Sequence, residues 1–243
     1  MKVLRLKLYQ QTACYKKPFA SKVAETYPLP PHSTVKGMLH AVLEANELIP
    51  MQISVQGGYD TLMTDYQIHY FFKQHSTPEF ILTTAGLGMD RQLEEITTMP
   101  IYTHMLYDVN LVIHVQAEQS VMEELERRIK DSSTTLSLGR WEDLLRVDEC
   151  EIVELIPPKR SVVVRGGAFV PQTILDKLNL PYSPYRLNWT YDIVNGVRVW
   201  KKLNMGYVQE GTRIRQGSEL WEDPTLSDDS EVPRGVFFAK PTS

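Results

Sequence analysis

Aliphatic and charged residues alternate at the start of the chain. Leu4, Leu6 and Leu8 are separated by Arg5 and Lys7. A period of two places successive side chains on opposite faces, so this segment is predicted to be a half-buried strand.

A helix is predicted after a proline-rich approach at residues 27–31, where three prolines favour extended chain. Ser33 or Thr34 is the expected N-cap. The helix then carries an apolar stripe at helical spacing, formed by Val35, Met38, Leu39, Val42 and Leu43. Lys36 and His40 fall on the predicted polar side.

Later segments repeat these patterns. Strands are predicted at residues 66–72, 107–115, 151–156 and 161–165. Ser120 and Glu123 have the spacing of a capping box, which predicts a helix as far as about Asp131. The order strand–helix–strand–strand–helix–strand is that of an α+β, ferredoxin-like (βαββαβ) core. Helices cover one face of such an antiparallel sheet, and we expect the other face to be open to a ligand.

The predicted core, residues 1–158, contains one insertion and is followed by a C-terminal portion. The segment at about 73–101 is too long for a tight hairpin, and its aliphatic content favours a projecting ribbon. Residues 159–243 form a smaller, β-rich C-terminal portion. Within it, Asn195-Gly196 lies between two β-like runs and predicts a hairpin.

Composition excludes several classes of protein. The 243 residues, 42% of them apolar, suit one large domain or two small ones. No run approaches the ~18 apolar residues of a membrane span, and the start is unlike a signal peptide. Two cysteines cannot form a disulfide framework or a zinc site. We expect a cytoplasmic protein with no cofactor and no metal.

The net charge of −4 hides two basic blocks. Residues 1–40 hold seven basic residues and one acidic residue, and residues 159–215 hold ten and three. If the two blocks meet in the fold, they form one positive face on an acidic body.

Three short segments are candidate anion sites. At the helix start, Ser33, Thr34 and Lys36 surround unpaired N–H groups, although a plain cap and a solvated lysine explain them too. Arg165, before two glycines, is a second candidate, for which an ordinary loop is the alternative.

The third candidate is the run Leu138, Gly139, Arg140 and Trp141. Gly139 permits a tight turn, Arg140 can bind a phosphate through two N–H groups, and Trp141 offers a ring for base stacking. The alternative packs Trp141 in the core and pairs Arg140 with Glu142 or Asp143.

Catalytic patterns are sparse. Neither HExxH nor GxSxG occurs. His40, one turn from Lys36, could act as a general base beside a phosphate, but a surface or interface histidine is the simpler reading.

Residues 26–40 and 138–147 together resemble the fifth family of CRISPR-associated (Cas) proteins, and most of all the subtype I-B forms. Members of this family are RAMP-superfamily subunits of the type I Cascade complex. The resemblance implies an RRM-type, ferredoxin-like core with a thumb, which corresponds here to residues 73–101. Family members grip the 5′ handle of the CRISPR RNA. The residues expected at the RNA are Lys16, Lys17, Ser33, Thr34, Lys36, Leu138, Gly139, Arg140, Trp141 and Arg165.

The resemblance also implies partners: the CRISPR RNA, the backbone subunit, the large PAM-reading subunit and, indirectly, target DNA, with no membrane. Leu87 and Met89 in the thumb are expected to contact the backbone subunit. Subtype I-C relatives cut precursor CRISPR RNA without a metal, using a Tyr soon after the first helix and a later Lys-His pair. This chain has neither, so a non-catalytic subunit is predicted, and an endoribonuclease using His40 or His32 is the alternative.

Overall fold

The structure is a computed structural model that describes residues 1–18, 20, 23–73, 95–133, 135–215, 217, 219–226 and 233–239. Its helices are α1 (His32–Val42), α2 (Gln119–Lys130) and α3 (Gln172–Leu178), with a 3₁₀ turn at Pro224–Leu226. Its strands are β1 (Lys2–Ala13), β2 (Val23–Ala24), β3 (Gln52–Gly58), β4 (Thr61–Lys73), β5 (Glu95–Gln116), β6 (Leu136–Ser137), β7 (Leu144–Glu154), β8 (Val162–Val163), β9 (Gly167–Pro171), β10 (Ser183–Val194), β11 (Val197–Val208), β12 (Arg213–Ile214), β13 (Trp221–Glu222) and β14 (Gly235–Val236).

A large, mostly antiparallel sheet organises this mixed α/β fold. In the part of the chain that the structure describes, its strand order is β10-β11-β9-β3-β5-β1-β7-β6, with β2 and β4 paired to β5 outside that path. β9 joins β3, so the sheet continues across residue 158. The predicted domain boundary there stays a prediction. None of the described helices is long and apolar enough to cross a membrane.

The main core lies between β3-β5-β1-β7 and the helices α1 and α2. Leu4, Leu6 and Leu8 of β1 pair with residues of β5 and are buried, as the alternation predicted. They share one cluster with Leu39 of α1 and Leu125 of α2. Because each element contributes one apolar face or stripe, stacking them removes those faces from water together.

The second strand of this core is β3, which the sequence analysis missed. Residues 66–72 do form a strand, but they belong to β4, which pairs with residues 95–107 of β5 as an extended two-stranded arm. In β3 the polar Ser54 and Gln56 are as buried as Ile53 and Val55. Residues 52–56 alternate polar and apolar side chains as a half-buried strand does, but both faces of β3 are buried in the fold.

The predicted helix caps are also wrong. The N-cap of α1 is Pro31, and that of α2 is Glu118, and neither has a side-chain capping bond. Ser33 and Ser120 therefore lie inside the first turn. Pro31 has φ −57° and ψ 148°, so it leads directly from the extended approach into the helix. By contrast, the Asn195-Gly196 hairpin is confirmed: φ is 51° and 76° at these residues, as in a type I′ turn.

The sheet face opposite α1 and α2 is partly covered, although we expected it to be open. We call residues 219–226 and 233–239 the C-terminal strap. Phe237 N donates to Ser54 Oγ at 3.1 Å, and Gln56 Nε2 donates to the Gly235 carbonyl at 2.7 Å. Phe237 is fully buried. The strap therefore fills part of the surface that an RRM-type fold would offer to a ligand.

A buried ionic cluster also joins the strap to the sheet. Arg5 Nη1 and His114 Nε2 lie 3.0 and 2.9 Å from Asp223 Oδ2, and Arg5 also donates to Glu149. The Asp223 side chain is fully buried. Hydrogen bonds from His114, Thr225 and Arg5 hold the pKa of Asp223 below its usual value against the opposing effect of burial.

Candidate nucleic-acid interface

Asp143 organises the loop that the sequence analysis singled out. Its carboxylate is buried, and Oδ2 accepts the backbone N–H of Cys14 at 3.0 Å and of Arg140 at 2.8 Å. Leu138 N donates to the Asp143 carbonyl at 3.0 Å. We call residues 138–143 the Asp143 loop. These bonds fix its shape and fasten it to the end of β1.

Gln10 holds the loop from the β1 side. Its Nε2 donates to the carbonyls of Leu138 and Asp143, both at 2.9 Å, and its Oε1 accepts the hydroxyl of Tyr15 at 2.7 Å. Gln10 and Tyr15 are buried. The sequence analysis missed Gln10, and it had named Asp143 only as a partner of Arg140.

Gly139 is required by close packing of the backbone. Its φ is +116°, and a Cβ there would lie 2.8 Å from Asp143 Oδ2 and 3.2 Å from the Cys14 carbonyl. A side chain would therefore collide with the groups that shape the loop.

Arg140 is engaged within the loop. Nη2 lies 2.7 Å from Asp143 Oδ1 and Nη1 lies 2.8 Å from Glu142. Its side chain is 18% exposed. This is the alternative pairing considered above, and two carboxylates compensate the guanidinium charge. Arg140 thus supports the loop, and a phosphate would have to displace one of these partners.

Trp141 lies at the surface, so the core alternative for it is wrong. It is 86% exposed, the largest value among the exposed large apolar residues of the described chain. A rigid loop thus presents an indole ring to solvent, and the ring can stack on a base.

Lys16 and Lys17 follow the Cys14-Tyr15 segment that supports this loop. Lys16 is exposed, and Lys17 Nζ lies 3.0 Å from Glu25. Lys16 is two residues from Cys14, whose backbone N–H binds Asp143 of the loop. These lysines and the Asp143 loop form the candidate nucleic-acid interface.

Lys36 lies apart from this interface and is buried, so its placement on the polar side of α1 is wrong. Nζ donates to the Trp189 carbonyl and lies 4.0 Å from the Trp189 ring centre. Burial lowers the pKa of Lys36 to about 8. Ser33 and Lys36 line a cavity of about 490 Å³ between α1 and the β10–β11 hairpin. Thr34, also in the first turn of α1, is half-buried.

Arg165 lies at a third location. With Lys7, Gly57 and Arg234 it lines a cavity of about 310 Å³. Its carbonyl accepts Arg234 Nη2 at 3.3 Å. The structure thus distributes the predicted RNA-binding residues over three groups of elements. Leu87 and Met89 lie outside the described residues.

Neither candidate catalytic histidine presents a ring nitrogen that is both unpaired and accessible to solvent. His40 Nδ1 lies 2.8 Å from the Lys36 carbonyl, and the Ile49 N–H donates to Nε2 at 2.9 Å. His32 is fully buried, and burial followed by the charge of Lys36 lowers its pKa to about 3. Both histidines therefore have the environment of structural residues.

Several solved structures are similar to this chain, and the first of them shares its fold. A chain of a CRISPR RNA-guided surveillance complex is 14% identical with a TM-score of 0.54, and the match covers 87% of this chain and 91% of that one. A Cas protein crystal structure is 13% identical with a TM-score of 0.45 and coverages of 89% and 99%. A CRISPR protein from Archaeoglobus fulgidus is 8% identical with a TM-score of 0.43, and the match spans both chains entirely.

Sequence comparison supplies the family. No curated protein sequence matches the chain. The Cas_Cas5d family model, described as CRISPR-associated protein (Cas_Cas5), matches residues 3–198, which is most of the chain. The protein therefore belongs to the Cas5 family of CRISPR-associated proteins.

Proposed function

We propose that this chain is a non-catalytic, cytoplasmic subunit of a type I Cascade complex of the I-B kind. It holds the 5′ handle of the CRISPR RNA and links the backbone subunit to the large PAM-reading subunit. Family membership supports a role in CRISPR defence. The strand order β3-β5-β1-β7, with α1 and α2 on one face, supports a ferredoxin-like RAMP core.

The exposed Trp141 on the rigid Asp143 loop carries this proposal. Stacking of one base on an aromatic ring contributes about 1–3 kcal/mol and needs no net positive charge. An acidic protein can therefore bind a single strand through stacking, a few lysines and backbone groups. The C-terminal strap covers part of the open sheet face, so the loop edge is the better RNA contact.

Replacement of the Trp141 ring tests the proposal. Trp141→Ala should weaken assembly with guide RNA and backbone subunit by roughly 1–3 kcal/mol, because one stacked base is lost. Assembly is measured by titrating the chain into labelled guide RNA with excess backbone subunit. Ile193→Ala is the matched control, since Ile193 is 70% exposed and lies on the β10–β11 hairpin. Equal assembly of Trp141→Ala and wild type would contradict the proposal.

The absence of catalysis is a separate expectation. The hydrogen bonds of His40 and the burial of His32 support it. Purified chain incubated with repeat RNA in EDTA should leave the RNA intact, as analysed on a denaturing gel. Cleavage at one position that is abolished in His40→Ala would establish the endoribonuclease alternative instead.

A further inference from the structure

The end of the β10–β11 hairpin carries exposed valines on one face. Val194 pairs with Val197 beside the turn, and Val199 is two residues further along β11. Cross-strand partners share a face of an antiparallel pair, and so do residues two apart on one strand. The three valines therefore form one patch, which we call the valine face. Their exposed fractions are 51%, 64% and 52%. Contiguous exposed apolar surface is typical of an interaction site.

The opposite face of the hairpin is interrupted by charge. Ile193 pairs with Arg198 there, and the Arg198 guanidinium lies 4.6 Å from the Tyr191 ring centre. Beside the valines, by contrast, the charged groups compensate each other, because Lys201 Nζ lies 3.0 Å from Asp192 Oδ2. The valine face is therefore the better apolar contact surface of the two.

The hairpin is nevertheless basic as a whole. Residues 183–208 contain four basic residues and one acidic residue, in a chain whose net charge is −4. In the part of the chain that the structure describes, Arg198 and Lys202 have no carboxylate within ion-pair distance. Both lie within three residues of Val199, or about 10 Å of strand, which is close to the screening length at physiological salt. The surface that complements the valine face is therefore apolar and bordered by carboxylates.

Other occupants fit this face less well. In a membrane, the polar Asn195-Gly196 turn would enter first and place unpaired backbone groups in hydrocarbon. Single-stranded nucleic acid stacks on rings, whereas the valines are branched aliphatic side chains. A second copy docked through the same face would bring two basic hairpins together. A protein surface can contact the valines while the turn stays in water.

We propose that the valine face docks onto an apolar surface, bordered by carboxylates, of a protein partner. Its residues are not among those expected at the RNA or at the backbone subunit. The identity of the partner rests on the proposed function: a linking subunit needs two separate contacts, and the β4–β5 arm adjoins the thumb assigned to the backbone subunit. In the sheet, β11, β9 and β3 separate β10 from β5. The partner of the valine face is then the large PAM-reading subunit.

A charge placed in the valine face is the main test. Val197→Asp should weaken binding of the purified large PAM-reading subunit to the labelled chain roughly tenfold or more, because a carboxylate would be buried against an apolar, acidic surface. Fluorescence anisotropy without RNA measures this affinity. Ile193→Asp, on the opposite face, is the matched control and should change the affinity less than about twofold. Both variants should keep the wild-type Tm, since both side chains are largely exposed.

Three outcomes of this titration would overturn the proposal. The first is equal affinity of Val197→Asp and wild type. The second is an equal loss of affinity in Val197→Asp and Ile193→Asp, which would show that the valine face is not the contact. The third is a wild-type chain that does not bind the large subunit.

The sign of the partner's charge is tested by charge reversal. Lys202→Glu should weaken binding of the large subunit about threefold or more in about 50 mM salt, and the difference should shrink in about 0.5 M salt, where exposed charges are screened. Lys159→Glu makes the same change in net charge at an exposed lysine after β7 and should have a smaller effect. Equal affinities of the two variants would contradict the acidic border.

The other occupants have measurements of their own. Flotation with vesicles of phosphatidylcholine and phosphatidylglycerol should leave the chain in the soluble fraction, and sedimentation velocity should show a monomer. Vesicle binding that Val197→Asp abolishes would replace the proposal by a membrane contact. A dimer that the same substitution dissociates would replace it by contact between two copies.

Failure of this inference is distinguishable from failure of the proposed function. The hairpin and the Asp143 loop lie at opposite ends of the sheet, which begins with β10 and ends with β7 and β6. Val197→Asp should therefore assemble with guide RNA and backbone subunit as wild type does, and Trp141→Ala should bind the large subunit normally without RNA. Docking that depends on Val197 in a chain that does not assemble with guide RNA would support the valine face and contradict the proposed function.

Discussion

At the scale of single residues, buried polar groups shape the candidate interface. Asp143 receives two backbone N–H groups and the Arg140 guanidinium, and Gln10 binds two loop carbonyls. The sequence pattern predicted the loop itself, including its glycine and its tryptophan. It could not show that Asp143 would be buried, because that burial depends on Cys14 and Gln10, which are distant along the chain.

Asp143→Asn tests this role. The variant keeps the side-chain shape but loses the charge-assisted hydrogen bonds of the carboxylate. It also leaves the half-buried Arg140 with a weaker partner. We therefore expect it to lower the free energy of unfolding by about 1–3 kcal/mol. Denaturant titration measures this change. Amide hydrogen exchange at Cys14 and Arg140 should accelerate, because their N–H groups donate to the Asp143 carboxylate.

Asp148→Asn is the matched control. Asp148 is partly exposed and pairs with Arg146, so its loss should change the free energy of unfolding by no more than about 0.5 kcal/mol. Equal effects of the two substitutions would show that the Asp143 network does not stabilise the loop.

At the scale of elements, the sequence predicted those whose pattern is local. The alternation in β1, the apolar stripe of α1 and the Asn195-Gly196 turn depend on neighbouring residues, and each predicted the right element. The half-burial expected of β1 is wrong, because residues 3–6 are buried on both faces. β3 was missed although residues 52–56 alternate polar and apolar side chains, and only the burial of Ser54 and Gln56 by the strap, which lies far away in the chain, could not be predicted locally. Lys36 was misplaced for the same kind of reason, since β10 covers it.

The arm formed by β4 and β5 presents apolar side chains to solvent. Tyr66 and Tyr102 lie side by side with ring centres 5.5 Å apart, and both are about half exposed. Ile68 and Tyr70 are similarly exposed. Contiguous exposed apolar surface is typical of an interaction site. The arm adjoins the ribbon predicted at about 73–101, but residues 74–94 lie outside the described residues. The ribbon and the contact of Leu87 and Met89 with a backbone subunit therefore stay predictions.

At the scale of the whole molecule, the C-terminal strap connects the last part of the chain to the first strand. Arg5 of β1 and His114 of β5 both contact Asp223. Three strap residues, Val236, Phe237 and Phe238, are buried. The strap is thus part of the folded core, and conditions that disrupt the buried polar groups should weaken the fold as a whole.

Two buried histidines make the stability of the fold depend on pH. Burial lowers the pKa of His114 below its usual 6.5, and the positive charges of Arg234 and Arg5 lower it further. The hydrogen bond to Asp223 opposes these effects but does not cancel them. The pKa of His32, which faces Lys36, falls to about 3. Below pH 6.5 the unfolded chain therefore binds protons that the folded chain excludes, and stability decreases as pH falls. The stabilisation by Asp223 is present at higher pH, because its pKa is depressed in the folded chain. It is lost only as pH falls below the unfolded value of 3.8, so Asp223 adds to the acid sensitivity only there.

Each histidine should contribute up to about 1.4 kcal/mol per pH unit below 6.5. Urea unfolding of the wild type should therefore give a lower free energy of unfolding at pH 5.5 than at pH 7.5. His32→Leu should reduce this difference, because it removes one titrating group whose ring nitrogens have no protein partner. His69→Gln is the control, since His69 is exposed on β4 and should leave the difference unchanged. If His32→Leu kept the full wild-type difference, a neutral buried His32 could not be its source, and the acid sensitivity would have to come from His114.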